Sequence, residues 1–338
     1  MTGKELVLAS LRHEQPPTCP YRLSFTIPAA QKLAAHYGDP NFRARLQCSV
    51  VELETTPEGA WVEVKKDYWR DDFGVIWNRT VDKDIGNPEP SLGGGVADLR
   101  TLTLPDPHDP RRYERFPAFC AENADRFLMG GIGFSLFERA WTLRGMENLL
   151  IDMATEPEFV DGLLDRIADW NLAVIDHLLE FPIDAVHLGD DWGQQRGLIM
   201  GPAHWKRFIK PRLKRMYERI KSKGKFVSIH SCGDIRLALP DLIDIGLDMF
   251  NPFQPEVMDV EKVKRKYGRH LTFHGGISTQ KTLPYGKPDE VRAEVRKRIA
   301  TIGKDGGYVC APAHDVPGDV PLENLLALID ELQNQKPA

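Results

Sequence analysis

The chain has 338 residues, 42% of them apolar and 28% charged, with a formal net charge of −5. That length suits two domains or one large α/β barrel, and the slight acidity argues against a general affinity for nucleic acid. No apolar run reaches the ~18 residues of a membrane span. The amino terminus, Met1-Thr2-Gly3-Lys4-Glu5, is charged too early for a secretory signal. Five cysteines, at 19, 48, 120, 232 and 310, make no short-spaced framework, so a reducing cytoplasm is the expected setting.

In chain order, a helix is expected at about 3–12, a strand at 20–26 and a helix at 28–37. Residues 61–95 carry Trp61, Tyr68, Trp69, Phe73 and Trp77 among Asp, Gly and Pro, which predicts a β-rich insertion. A strand at 127–132 and an amphipathic helix at 157–179 follow. Beyond residue 183 short apolar runs alternate with helical periodicity. The runs are 185–190, 225–229, 247–251, 271–274 and 308–310; the helices are 202–224, 235–245, one after Asp259, 288–303 and 321–332. Pro211 predicts a kink or two abutting helices within 202–224.

Such alternation implies a parallel sheet covered on both faces. No Gly-x-Gly-x-x-Gly follows a strand, which weakens a dinucleotide-binding sheet. The expected fold is therefore α/β, a single (β/α)8 TIM-type barrel spanning 1–338 with the insertion at about 61–95. Active sites of that fold gather at the carboxyl ends of the strands.

The sharpest motif is Ile229-His230-Ser231-Cys232-Gly233-Asp234, directly after a strand. Residues i and i+2 of an extended segment share a face, so His230 and Cys232 can meet one ion, and their nitrogen and sulfur donors suit zinc. A third ligand must come from elsewhere, and the segment from Cys310 to Asp315 offers Cys310 and His314. His314, on a loop beyond Pro312, is better placed, with Cys310 as the alternative. A fourth position would be left for water, substrate or an acceptor such as Glu256.

A second cluster, from His187 to Gln195, ends an apolar strand in Asp190 and Asp191, candidate catalytic carboxylates that orient substrate or manage a proton. Trp192, Gln194, Asn251, Gln254 and His274, at or just beyond strand ends, are the candidate substrate-binding residues. Residues 206–225 hold ten Lys and Arg against one acid, Glu218. An exposed helix face is the ordinary reading of such a run, and a docking surface for an acidic partner the alternative.

At these strand ends the sequence resembles the uroporphyrinogen decarboxylase superfamily, well over about 150–332 and loosely before. That group contains decarboxylases of haem biosynthesis and zinc-dependent methyltransferases that work with corrinoid proteins. Asp190-Asp191-Trp192-Gly193 resembles the Asp-x-Trp strand end of the decarboxylases. Ala313-His314-Asp315, followed by Val320-Pro321-Leu322-Glu323-Asn324, resembles their Gly-His-Gly segment and the Thr-Pro-Pro-Glu-Asn after it. Their Met-Arg-Gln-Ala-Gly-Arg segment, whose arginines grip tetrapyrrole carboxylates, has no counterpart in Pro20–Thr26, which holds one arginine. His230, Cys232 and the Gly-Asp after them match the methyltransferase branch instead. The distant cysteine of that branch falls where Ala313-His314-Asp315 stand here, four residues past Cys310.

The resemblance implies a zinc-assisted methyltransferase acting between a small methylated substrate or thiol acceptor and a corrinoid. The corrinoid would belong to a partner protein, because this chain has no Asp-x-His-x-x-Gly motif. The aromatic insertion would shape a lid over the substrate. The alternative is a carboxy-lyase acting on a tetrapyrrole or another carboxylated substrate, and a third reading is a non-catalytic binding protein. Expected partners are a small molecule and a corrinoid protein, with neither nucleic acid nor membrane; a homodimer is left open.

Overall fold

The computed structural model describes residues 1–89 and 96–336, so the last six positions of the expected insertion lie outside the described residues. Thirteen strands occur among the described residues. β1 is Val50–Glu54, β2 Val62–Lys65, β3 Tyr68–Arg70, β4 Ile76–Asn78, β5 Asn87–Pro88, β6 Phe127–Ile132 and β7 Ala185–Gly189. β8 is Gly193–Gln194, β9 Gly197–Leu198, β10 Phe226–His230, β11 Met249–Phe253, β12 Thr272–Ile277 and β13 Tyr308–Pro312.

Seven of them form one parallel sheet in the order β1-β6-β7-β10-β11-β12-β13. The strand expected at 20–26 is instead an extended segment bridging the two outer edges. Cys310 N–H donates to the Pro20 carbonyl at 2.8 Å, and Val316 N–H to the Ser24 carbonyl at 2.9 Å. On its other side Ser49 N–H donates to the Tyr21 carbonyl at 2.9 Å. Seven strands and one bridging segment thus stand where eight strands were expected.

Alternation along these strands sorts side chains into two layers. Val50, Phe127, Met129, Ala185, Met249 and Val309 point inward with Val7 of the amino-terminal helix, forming a small apolar cluster that plugs one end. Thr2 and Glu5 cap that helix reciprocally. The intervening residues, such as Leu128, Val186, Ile229, Phe250 and Tyr308, face the helices and join the large core. Two residues further along the inward-facing rows, apolar residues give way to Glu52, His187, Asn251 and His274. The lumen is dry at its base and polar at its mouth.

Two regions differ from expectation. β1 was not foreseen, because Val-Val-Glu-Leu-Glu lacks the continuous apolar run of a parallel strand buried on both faces. The helix expected at 202–224 begins at Gly201, passes through a wide π-type turn over Trp205–Ile209 and resumes over Lys210–Lys221. The irregularity sits where Pro211 lacks an amide proton.

β2 to β5 make a four-stranded antiparallel sheet between β1 and β6. Its Trp77 is buried against Phe134 and donates to Asp71 Oδ2 at 3.1 Å. The same carboxylate oxygen receives Arg139 at 2.9 Å. Trp77 is therefore part of the core, whereas Tyr68 and Trp69 of β3 are half-buried. Among the described residues of the insertion, Ile85, in the β4–β5 connection, lines the inner pocket at the mouth.

Candidate metal centre and active site

β10 ends at His230, and the chain then turns so that Cys232 faces back toward it, with Sγ 3.4 Å from Nε2. Cys232 is held by its own amide, which donates to Asp191 Oδ1 at 2.7 Å. Close packing of two glycines lets the loops after β7 and β10 meet there. A Cβ on Gly193 would lie 2.4 Å from the Cys232 carbonyl oxygen, and Gly233 adopts φ +81°.

His230 is oriented by Asn251. The Asn251 amide nitrogen donates to the His274 carbonyl at 3.1 Å, so its oxygen faces His230 Nδ1 at 2.6 Å. That bond places the ring proton on Nδ1 and leaves the Nε2 lone pair directed at the Cys232 side. His314 arrives from the loop after β13, its ring centroid 5.7 Å from that of His230. One ligand atom each from His230, Cys232 and His314 lies within 4.8 Å of the others.

Two nitrogens and a thiol converging from three directions, with one imidazole fixed by a partner behind it, fit a zinc ion that keeps an open fourth position. Burial, then the charges of Asp191 and Glu138, pushes the Cys232 thiol up from its ordinary value. A bound cation would reverse that and hold a thiolate.

Cys310 does not join them. It is fully buried in β13 on the helix-facing side, sharing that side with Tyr308, while Val309 and Ala311 face inward. Glu256 is engaged elsewhere, accepting from Ser278 Oγ at 2.5 Å. Among the described residues the converging set is His230, Cys232 and His314.

The two aspartates after β7 separate. Asp191 lies beside the trio, its Oδ1 3.6 Å from His230 Nε2. Asp190 is fully buried and accepts from the amides of Leu136 (3.2 Å), Phe137 (3.0 Å) and Glu138 (2.8 Å) and from the Trp192 indole. Its carboxylate thus caps the helix Phe137–Arg144 from another part of the chain. Burial pushes it up to about 6 against those hydrogen bonds. Trp192 is also fully buried, edge-on to Trp205 at 5.5 Å.

Two cavities flank the trio, with His314 in the wall of both. The outer, about 400 Å³, is lined by amides and hydroxyls, among them Gln194, Gln254 and Thr279. The inner, about 250 Å³, lies in the polar lumen and is lined by Arg22, Glu52, Glu54, His187, His230 and His274, among others. Arg22 Nη1 pairs with Glu52 at 2.5 Å. Burial pushes His187 down to about 4 and His274 well below its ordinary value, so both imidazoles are neutral near pH 7.

Glu52 and Glu54 were not singled out from the sequence, and His187 and Arg22 entered only as members of longer segments with no role assigned. The signal available was the period of two in Val50-Val51-Glu52-Leu53-Glu54, which puts both acids on one side of a strand.

Residues 95–335 match the uroporphyrinogen decarboxylase (URO-D) family. The chain belongs to that family. Family relatives include a uroporphyrinogen decarboxylase from Methylococcus capsulatus, 24% identical over 258 residues, covering 72% of this chain and 70% of that protein. They also include the methylcobamide:CoM methyltransferase MtaA of Methanosarcina barkeri, 26% identical over 173 residues, about half of each chain (51% and 48%). A methyltransferase from Methanosarcina mazei has the same fold, with a TM-score of 0.74 at 19% identity over 98% of both chains. The family thus spans two chemistries, and the site must separate them.

Proposed function

We propose that the protein is a methyltransferase moving a methyl group between a small molecule and the cobalt of a corrinoid carried by a partner protein, with zinc held by His230, Cys232 and His314. The observation that carries this reading is the convergence of those three side chains between two cavities. Bound there, zinc would supply Lewis-acid polarisation of a donor heteroatom or hold an acceptor thiol as thiolate. Asn251 keeps the His230 tautomer fit for that role, and Asp191 holds the Cys232 loop by its amide. Asp190 acts as a positioning group, tying the helix at 137–144 to the strand end. Gln194 and Gln254 offer neutral hydrogen bonds in the outer cavity, from which a corrinoid carried by a partner has access.

The decarboxylase reading is favoured by the longer alignments with uroporphyrinogen decarboxylases. The inner pocket weighs against a tetrapyrrole substrate. A polycarboxylate needs several cations to offset its desolvation, whereas this pocket has one guanidinium already paired with Glu52. Its volume of about 250 Å³ also falls below the ~300–1,000 Å³ usual for drug-sized ligands.

The deciding experiment combines metal analysis with transfer assays. Purified protein is expected to carry zinc, Cys232→Ala and His314→Ala to lose it, and Cys310→Ala to keep it. Methyl transfer to or from free cobalamin should follow the metal content. Zinc retained by His314→Ala but lost from Cys310→Ala would reverse the ligand assignment. Decarboxylation that persists in chelator, with no methyl transfer, would establish the alternative. All five cysteines are free, as a reducing cytoplasm would leave them.

A further inference from the structure

A groove of about 480 Å³ runs between the β8–β9 hairpin, the turn after β10 and the helix Val260–Tyr267. Arg196 enters it from the hairpin, Arg236 from the turn, and Lys262 and Lys266 from the helix. Four cations thus meet although they are spread over positions 196–266 and form no run in the sequence. The helix does not account for its own pair. Like charges at i, i+4 repel, and Lys262 in the first turn faces the positive end of the helix dipole.

The fold leaves most of this charge unanswered. Asp234 pairs with Arg236 at 2.7 Å, but Arg196, Lys262 and Lys266 make no ion pair among the described residues. Lys266 rests over the Tyr267 ring at 4.9 Å. Of the neighbouring acids, Glu261 pairs with Lys297 at 3.2 Å, and Asp259 caps the helix by accepting the Lys262 amide at 2.9 Å. The cations of 206–225, by contrast, are largely matched by acids of this chain. Leu237, 62% exposed, stands in the same groove. An open apolar side chain ringed by unpaired charge has the make-up of a protein interface, with an apolar centre and a polar rim.

The groove shares a wall with the outer cavity. Gln194 and Cys232 line the cavity, whereas Arg196 and Asp234, two residues further along the same two loops, line the groove. The Asp234 amide donates to the Gln194 carbonyl at 2.9 Å and ties the loops together. A body seated in the groove is therefore one loop away from Cys232. The chain as a whole carries a net charge of −5. It repels an acidic partner over most of its surface and attracts one only where cations outnumber acids, which fixes orientation as well as raising the encounter rate.

Resting on the methyltransferase reading above, we propose that this groove docks the corrinoid-carrying partner through an acidic face of that protein, with an apolar contact at Leu237, so that the corrinoid meets the outer cavity.

The test uses corrinoid proteins purified from an extract of the source organism by the absorption of their cofactor. Their binding to the intact enzyme, as isolated and after chelator treatment, is measured at low and high salt. Wild type should bind in both states, and more weakly as salt screens the groove. The triple variant Arg196→Glu, Lys262→Glu, Lys266→Glu should bind about 10–10³-fold more weakly, yet exchange methyl groups with free cobalamin at the wild-type rate. A control with the same charge change on other exposed positions, Arg43→Glu, Lys223→Glu, Lys304→Glu, should bind nearly as wild type does. Equal binding by wild type and the groove variant overturns the proposal. Equal weakening in groove variant and control also overturns it, leaving net charge as the cause. Groove-dependent binding of a mixed-sequence single-stranded RNA, with none of a corrinoid protein, would reassign the groove and overturn it too. If wild type exchanges methyl groups with free cobalamin but binds no corrinoid protein, the proposal falls and the methyltransferase reading stands. If it neither binds nor exchanges, both fall.

Discussion

Asp190 shows how a strand-end carboxylate can serve the site without lining it. One side chain accepts three amides and an indole N–H. Replacing it with asparagine turns one acceptor oxygen into a donor facing donors, so Asp190→Asn is expected to cost about 1–3 kcal/mol in urea denaturation. The pH dependence has a definite sign. Burial raises the folded-state value to about 6, so the folded chain binds this proton more tightly than the unfolded chain does. The resulting stabilisation is complete below the unfolded value near ~4 and lost as pH rises through about 6. The stability of wild type relative to Asp190→Asn should therefore fall across that window and level off above it. A flat difference would remove burial as the cause. The i, i+2 geometry of His230 and Cys232 was legible in six residues of sequence. Asp190's role was not, because the three amides it caps lie more than fifty positions earlier in the chain.

The basic stretch 206–225 illustrates the same limit for an element. Its ten cations were readable as an exposed face or a docking surface, yet the acids that answer many of them come from this chain. Lys206 and Lys210 meet Asp241, Arg212 meets Asp161 and Asp165, Arg215 meets Asp169, Arg219 meets Asp176 and Lys221 meets Asp248. These acids project from the helices 157–178 and 239–244 and from the start of β11, so much of the positive charge is neutralised internally. Arg212, 6% exposed, also donates to the Phe208 and Asp161 carbonyls. Arg212→Ala should destabilise by about 1–3 kcal/mol, since it removes a buried donor from two main-chain carbonyls and leaves only the partly exposed Asp161 and Asp165 to solvent. Lys206→Ala, at an exposed pair, should cost at most ~0.5 kcal/mol. Equal effects in thermal unfolding would mean that the network acts only through solvent-screened charge.

At the scale of the whole molecule, metal binding at the proposed site would be linked to folding, because the trio draws on the ends of β10 and β13, about eighty residues apart in sequence. Zinc at about 100 times its dissociation constant would add about 2.7 kcal/mol. Chelation should lower the melting temperature of wild type by several degrees and leave Cys232→Ala unchanged; an equal shift in both would place the metal elsewhere. The sequence by itself determined the parallel α/β character, most of the wall strands and the His230–Cys232 pair, because each depends on periodicity or on neighbours within a few residues. The preference for His314 as third ligand was already available from its place on a loop beyond Pro312, but only the tertiary structure turned Cys310 outward, sent Asp190 to a helix end and set Glu52 and Glu54 against the bare backbone of Gly131. Those outcomes depend on which strand lies beside which and on the register between them, and no short stretch of sequence carries that information.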